Sequence, residues 1–364
     1  MEHDFANIVK EKIEEALKSR GRVNVLIAGK TGVGKSTLIN AVFQGDFAET
    51  GHGKPVTQNT REIVKEGIPL HIFDTRGLEL AKFSETLQEL DQLINQRAAL
   101  TDANEHLHCA WVCISEDGRR VEPAETNLVA MLAKQRIPVV VVVTKARADE
   151  GFRATVQQLI PQASNVIRVR AKSEKIEGIE QILPPQGLKE LVDWTMGVVP
   201  EGQRNAFAAA QKVDMRLKQN RAHLIVLGAA TSAAAIGATP IPFADAALLV
   251  PVQIGMLAGI SAVFGLPLSS AFLTTLVTST IAGAGGTLAG RAIVSGLLLL
   301  IPGAGVILKG VISGTTAVLF TTAFGEAYIA TLSSLIEEDP KNPPTPEQIA
   351  ARLVEEMKKR NPFK

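Results

Sequence analysis

The chain has 364 residues, 46% of them apolar and 21% charged, with a formal net charge of +1. That length accommodates two domains, each with its own core, and the near-neutral balance excludes a global field for nucleic acid or acidic substrates. Cys109 and Cys113 lie in one strand-like run, where side chains four apart stand roughly 13 Å from each other and cannot bridge, as expected of buried thiols in a reduced cytoplasm.

The first twenty residues, "MEHDFANIVKEKIEEALKSR", have no apolar core of the secretory type. Phe5, Val9, Ile13 and Leu17 recur at i, i+4 spacing, which predicts an amphipathic helix packed on another helix of the same protein. A strand over 22–28 then opens into "GKTGVGKST" at 29–37, and a helix over 37–44 follows. Gly29, Gly34, Lys35 and Ser36 fit the spacing of a phosphate-binding loop between strand and helix. Its glycines let the backbone of Gly29, Lys30, Thr31, Gly32, Val33 and Gly34, continuing through Ser36 and Thr37, surround phosphates at a helix N-terminus. Lys35 is expected to reach the β and γ phosphates, and Ser36 to ligate Mg2+.

The polar loop "GDFAETGHGKPVTQNTRE" reads as a switch segment that supplies a threonine to Mg2+. Thr57 is the first choice because a full strand separates it from Asp74; Thr60 competes. Strands are expected over 61–66 and 68–73, the second ending in Asp74-Thr75-Arg76-Gly77. Asp74 is placed to hold the hydration shell of Mg2+, and the Gly77 N–H to sense the γ phosphate. Helical stretches at 79–99 and 121–135 alternate with strands at 107–114, 137–143 and 165–169. Residues 22–196 therefore read as an α/β domain with a mostly parallel sheet and helices on both faces.

Residues 200–222 read as helical and basic, with Lys212, Arg216, Lys218 and Arg221 against Asp214. Over 224–325 the charged side chains are Asp245, Arg291 and Lys309 alone. The charge-free stretch 246–290 is long enough for two membrane-spanning helices, is rich in small residues and follows a basic run. Pro240, Pro242, Pro251 and Pro267 break the individual apolar runs of 224–325, and a tightly packed Ala-rich bundle would have the same composition. Asp245 reads as a helix cap, and "TPIPFAD" and "LIPGAG" as bends of two helical hairpins. "TPEQIAARLVEEMKKR" begins with Thr345 at a cap, Pro346 in the first turn and Gln348 three on. The expected segments are a helix over 1–20, a nucleotide domain over 21–197, an apolar all-α domain over 198–338 joined by the N-terminal helix, and a linker with a final helix over 339–364.

"GKTGVGKSTLINAVF", "PVTQNTREI", "GIPLHIFDTRGLE" and "IPVVVVVTKAR" resemble the Era/TrmE-like branch of the translation-factor-related GTPases. "ATPIPFADAALLVPVQIGMLAGISAVFGL" and "LLLLIPGAG" resemble an uncharacterised domain that follows such GTPases in bacteria, and the layout is similar to immunity-related and dynamin-like GTPases. The resemblance implies GTP or GDP with Mg2+, a homodimer or oligomer, and a lipid membrane at its inner, cytoplasmic face. It also implies a guanine-reading motif, Asn/Thr-Lys-x-Asp, which Thr144 and Lys145 match while Arg147 stands in the acid's place. Asp149 comes two residues late, and Arg170-Ala171-Lys172 takes the position of the next motif, with Ala171 against the base. Loose base specificity is expected from the missing acid.

Leu78 occupies the place where Ras-like proteins carry a glutamine that orients water, and Gly32 the place of an asparagine in potassium-activated relatives. Slow GTP hydrolysis follows, with Arg76 or Lys30 either a positive finger across a dimer or an ordinary switch-region charge. Alternatives that stay open are a relaxed-specificity NTPase or ATPase, an integral membrane component with a regulatory nucleotide domain, and a soluble oligomeric assembly module.

Overall fold

The computed structural model describes residues 2–45, 47, 54–75, 83–175, 182–237, 245–283 and 314–359. The chain divides into two compact units: Gly21–Asp214, and Met1–Arg20 together with Met215–Lys364.

In the first unit, β1 (Val23–Ala28), β2 (Lys54–Pro55), β3 (Thr60–Val64), β4 (Leu70–Thr75), β5 (Cys109–Ser115), β6 (Val139–Thr144) and β7 (Asn165–Val169) form one sheet. Its order is β2-β3-β4-β1-β5-β6-β7. The five strands from β4 to β7 in that order are parallel, and β2 and β3 add an antiparallel edge. The wholly buried runs of β1 and β6 are what a central parallel strand needs, because helices cover both its faces.

Those helices are α2 (Lys35–Val42), α3 (Phe83–Ala98), α4 (Pro123–Lys134), α5 (Phe152–Leu159), α6 (Leu188–Val198) and α7 (Glu201–Ala210). Strand alternation sends Leu26, Ala28, Val112 and Val141 into one core with Leu90, Leu128 and Val156 of α3, α4 and α5. On the other face Trp111 stacks on Phe43 with ring centres 5.5 Å apart, and Phe43 meets Phe207 of α7 edge-on at 6.2 Å. The indole Nε1 donates to Thr195 Oγ1 of α6 at 3.2 Å. Cys109 and Cys113 are buried and unbridged, and burial pushes both thiols up to about 12.

The sheet unit extends to Asp214, past the boundary at 197 expected from composition. The expected helix over 200–222 is divided by buried Gln211, whose amide donates to the Asp214 carbonyl while its oxygen accepts from the N–H of Val213. The part before it, α7, buries Phe207 and Ala208 and is tied to α2 by the Gln44 amide on the Ala209 carbonyl at 2.7 Å.

The second unit contains α1 (Glu2–Arg20), α8 (Met215–Gly237), α9 (Asp245–Phe264), α10 (Ser270–Gly283), α11 (Gly314–Glu338) and α12 (Pro346–Lys359). α1 packs on α9 and α10, α8 on α9 and α11, and α12 on α10 and α11. Val9 and Ile13 are buried as their spacing predicts, but the buried face then passes to Ala16 and leaves Leu17 exposed. An i, i+4 stripe drifts about 40° per step around a helix, so the fourth member no longer faces the core.

α9 runs through Pro251, where a break was expected; the cost is confined to one backbone hydrogen bond and local crowding. Pro240, Pro242 and the two expected hairpin bends lie outside the described residues. Thr345 and Gln348 form the expected reciprocal cap: the Thr345 N–H donates to Gln348 Oε1 at 2.9 Å, and the Gln348 N–H to Thr345 Oγ1 at 3.3 Å. Among the described residues, α11 is long and apolar enough to cross a membrane by length and composition, with an 18-residue window of mean hydropathy 1.2 that is 56% buried.

Register places the site. Ala28 lies beside Thr75 and Val112, Ser115 beside Thr144, and Thr144 beside Val169, so the C-terminal ends of the parallel strands form one edge. From β1 the chain has its next parallel neighbours on opposite sides, β4 and β5, and ligands of open α/β sheets bind at such a switch point.

Candidate functional site

At that edge the loop from Gly29 to Gly34 joins β1 to α2. Gly29, Gly32 and Gly34 have φ of 152°, 74° and 106°, which a side chain at those positions would oppose. Gly29 is also pressed against β5, since a Cβ there would stand 2.6 Å from the Cys113 carbonyl oxygen. Lys35 folds back over the loop, and its ammonium donates to the carbonyls of Gly29 at 2.6 Å and Lys30 at 3.1 Å. Thr31, Gly32 and Ser36 are exposed, Thr37 is half-buried, and Val33 is buried beneath them. Lys30 is ion-paired with Glu122 ahead of α4, which gives this loop cation a partner within its own chain.

Asp74 lies beside Ile27 on the strand adjoining the loop, two residues before Gly29 in register. Thr57 heads a tight turn into β3, and its hydroxyl accepts from the N–H groups of Asn59 at 3.2 Å and Thr60 at 3.0 Å. Thr60 pairs with Thr75 across β3 and β4; both are fully buried, with hydroxyls that have no hydrogen-bond partner among the described residues. Gly77, with Arg76 and Leu78, lies outside the described residues.

A cavity of about 210 Å³ continues from the loop past Gly34, Thr37 and Leu38 to Thr144, Lys145, Arg147 and the run Val169–Glu174. Thr144, Lys145, Arg147 and Ala171, separate in the sequence, thus line one space. Thr144 is buried and donates to the Val33 carbonyl at 2.6 Å and to that of Ile114 at 3.2 Å. Lys145 has a left-handed φ of 54° and lies 3.5 Å from Asp117. Asp149 does not line the cavity: its carboxylate accepts from the Arg153 N–H at 2.9 Å, at the start of α5.

Residues 24–145 match the family described as 50S ribosome-binding GTPase, and residues 202–359 match a domain of unknown function (DUF697). The loop, Asp74 and the strand end at Thr144 all fall inside the first match. Residues 24–145 form a P-loop GTPase domain.

Relatives of this GTPase domain include the tRNA modification GTPase MnmE of Paracidovorax citrulli, 28% identical over 243 residues, which are 62% of this chain and 47% of that protein. MnmE of Cupriavidus metallidurans is 40% identical over 80 residues, 21% of this chain and 16% of that protein. The chain spans about half the length of the first of these curated relatives, and less of the second. Among solved structures, Era from Aquifex aeolicus bound to GDP and aluminium fluoride has a TM-score of 0.33 at 16% identity, covering 61% of this chain and 70% of that one.

The GTPase match ends at Lys145, and the residues just beyond it carry features that motif spacing does not reveal. The Arg147 N–H donates to Glu116 Oε1 at 2.5 Å, and the Arg147 guanidinium forks onto Glu174 with Nε–O distances of 3.0 and 3.1 Å. Burial alone pushes the Glu116 carboxyl up, but hydrogen bonds from Arg168 and the Arg147 and Ala148 backbone outweigh it and hold it below the usual range. Arg147 likewise holds Glu174 low through its hydrogen bonds. Buried Arg170 staples the segment by donating to the carbonyls of Ala146 and Pro184 and to Gln186 Oε1. The sequence places Arg170 only within the position of the next motif, and nothing in the motif spacing singles out Glu116 or Glu174. The signal available for Glu116 was an acid immediately after a buried strand.

Proposed function

We propose that the chain is a Mg2+-dependent GTP-binding protein and slow GTP hydrolase whose nucleotide state biases the attached helical unit. The observation that carries this reading is the Lys35 ammonium held over the Gly29–Gly34 loop, at the N-terminus of α2 and beside the strand that carries Asp74. A loop of inward-turned amides with one lysine is built for a β,γ-phosphate pair.

The oxygen donors Ser36, Asp74 and Thr57 fit Mg2+, which binds through one or two carboxylates, hydroxyls, waters and phosphates. Among the described residues no cluster of three or more His, Cys, Asp or Glu offers a rival all-protein cage. Bound there, Mg2+ would offset the phosphate charge. Thr57 is preferred over Thr60 because its hydroxyl sits in a half-buried turn, whereas Thr60 is buried within the sheet. Slow turnover is supported by Leu78, which cannot orient water.

Isothermal titration of purified protein with GTP, GDP and ATP in Mg2+ tests the reading. Binding of GTP and GDP that weakens in EDTA supports it; absence of binding to any nucleotide overturns it, and equal affinity for ATP converts it to a relaxed-specificity NTPase.

A second reading, peripheral attachment of the helical unit to a lipid surface at the cytoplasmic face, is supported by Leu224 and Leu227 on α8 and Leu319 on α11. These side chains are exposed in a unit whose other apolar residues are mostly buried. Liposome flotation with GTP or GDP decides it, and protein that stays at the bottom in both states removes it.

A further inference from the structure

We propose that Glu174 is the base-reading acid of the nucleotide site, taking the part left vacant at Arg147, and that Arg147 positions it; this rests on the nucleotide-binding reading above. Four observations converge. Glu174 lines the same cavity as Thr144, Lys145 and Ala171, which runs on from the phosphate loop at Gly34 and Thr37. Asp149, the nearest acid in sequence, is engaged at the start of α5 and lines none of this space. Arg147 is anchored at its backbone by buried Glu116, itself gripped by Arg168 at 2.7 Å, so its side chain starts from a fixed point. From there the guanidinium fork fixes the orientation of the Glu174 carboxylate.

The chemistry selects the base. Guanine presents two adjacent donors, N1–H and the 2-amino group, and a carboxylate is an acceptor with about four lone-pair sites. Glu174 Oε1 already accepts from both Nε and Nη2 of Arg147, whereas Oε2 accepts from Nε alone, so the spare acceptor capacity lies on Oε2. Adenine sets an acceptor, N1, beside its 6-amino donor, so the same carboxylate meets one match and one repulsion. At the N1–H and 2-amino edge Arg147 would set donors against donors; its own match is the O6/N7 edge, so the acid is needed for the edge that tells guanine from adenine. The acid has moved from the loop after β6 to the one after β7, with the cation holding it there.

The test is competition of GDP, ADP and XDP for the full chain in Mg2+, using wild type and Glu174→Gln. Wild type is expected to prefer GDP over ADP. Glu174→Gln is expected to lose about tenfold or more of that preference, the worth of one hydrogen bond to a charged group. It should also gain affinity for XDP, because the new amide donor meets the 2-oxo group of xanthine, a change that a merely structural role would not produce. Arg147→Met, which frees the carboxylate without removing it, is expected to lower the GDP-to-ADP ratio by a smaller factor. Should Glu174→Gln not fold, Glu174→Ala is scored by the same ratio, and a GDP preference equal to wild type overturns the proposal. A wild type that binds GDP and ADP equally, or a Glu174→Gln ratio unchanged from wild type, overturns it while leaving nucleotide binding intact. A wild type that binds no nucleotide overturns the parent reading instead.

Discussion

The Thr144 hydroxyl, at the end of β6, donates to the Val33 carbonyl in the phosphate loop at 2.6 Å. One side chain thereby joins the end of β6 to the phosphate loop, and its other carbonyl partner, Ile114, ties both to β5. Thr144→Val keeps the shape and removes the donor, withdrawing the short hydrogen bond from the Val33 carbonyl. A loss of about 1–3 kcal/mol is expected, because stranding a buried acceptor costs its desolvation. Urea denaturation measures it, and a weaker GDP affinity should accompany it if the loop shifts.

Lys35→Ala removes the ammonium from the mouth of the loop while leaving the sheet core untouched. Charge-assisted hydrogen bonds to phosphate are worth about 1.5–3 kcal/mol each, so GTP affinity should fall on the order of a hundredfold. Titration calorimetry reads the affinity, and an unfolding midpoint close to wild type shows that the fold survives.

Gly29→Ala and Gly32→Ala separate two costs. At Gly32 a Cβ meets nothing within 4 Å, so only the positive φ opposes it, by about 1–2 kcal/mol. At Gly29 the added carbon meets the Cys113 carbonyl oxygen, which belongs to a central strand and cannot swing away. Gly29→Ala should therefore be the more destabilising of the two by about 1–3 kcal/mol, the usual range for overpacking, in parallel denaturant curves.

Lys218 is buried in α8 with its ammonium 3.4 Å from the Phe264 carbonyl, and burial lowers it to about 7 from 10.5. Below pH 7 the lysine is charged in both states, and the native state bears the full cost of burying that charge. From pH 7 upward the unfolded chain still holds a proton that the native state has released, so stability rises with pH by up to about 1.4 kcal/mol per unit. The clean window closes near pH 9, where the unfolded thiols of Cys109 and Cys113 begin to ionise and act in the opposite direction. Denaturation midpoints should climb between pH 7 and 9 in wild type and stay level in Lys218→Met.

The six strands expected over 22–169 all appear, within about two residues at each end: five are parallel and mostly apolar, as buried parallel strands must be, and the sixth, β3, is the antiparallel edge strand beside them. The phosphate loop was legible for a similar reason: glycines at fixed offsets before Lys35 serve a backbone need that composition does not disguise. The Arg147–Glu174 pair was not, since its partners sit on different loops and meet only when β6 and β7 align. Likewise α7 has the small, mixed composition of the helices after it, and it is long-range contacts, Phe207 on Phe43 and the Gln44 amide on the Ala209 carbonyl, that assign it to the sheet. Leu17 was misplaced by extending a straight stripe along a helix whose buried face rotates.

α1 is made before the sheet unit, while the helices that cover it, α9 and α10, are made after. The sheet unit is one uninterrupted, compact stretch, Gly21–Asp214. During synthesis it is complete while Val9 and Ile13 are still waiting for Asp245–Phe264 and Ser270–Gly283 to emerge. A nascent chain halted between those points therefore carries a finished nucleotide unit behind an uncovered apolar helix. The order of manufacture, as much as the contacts, makes the helical unit the last part to close.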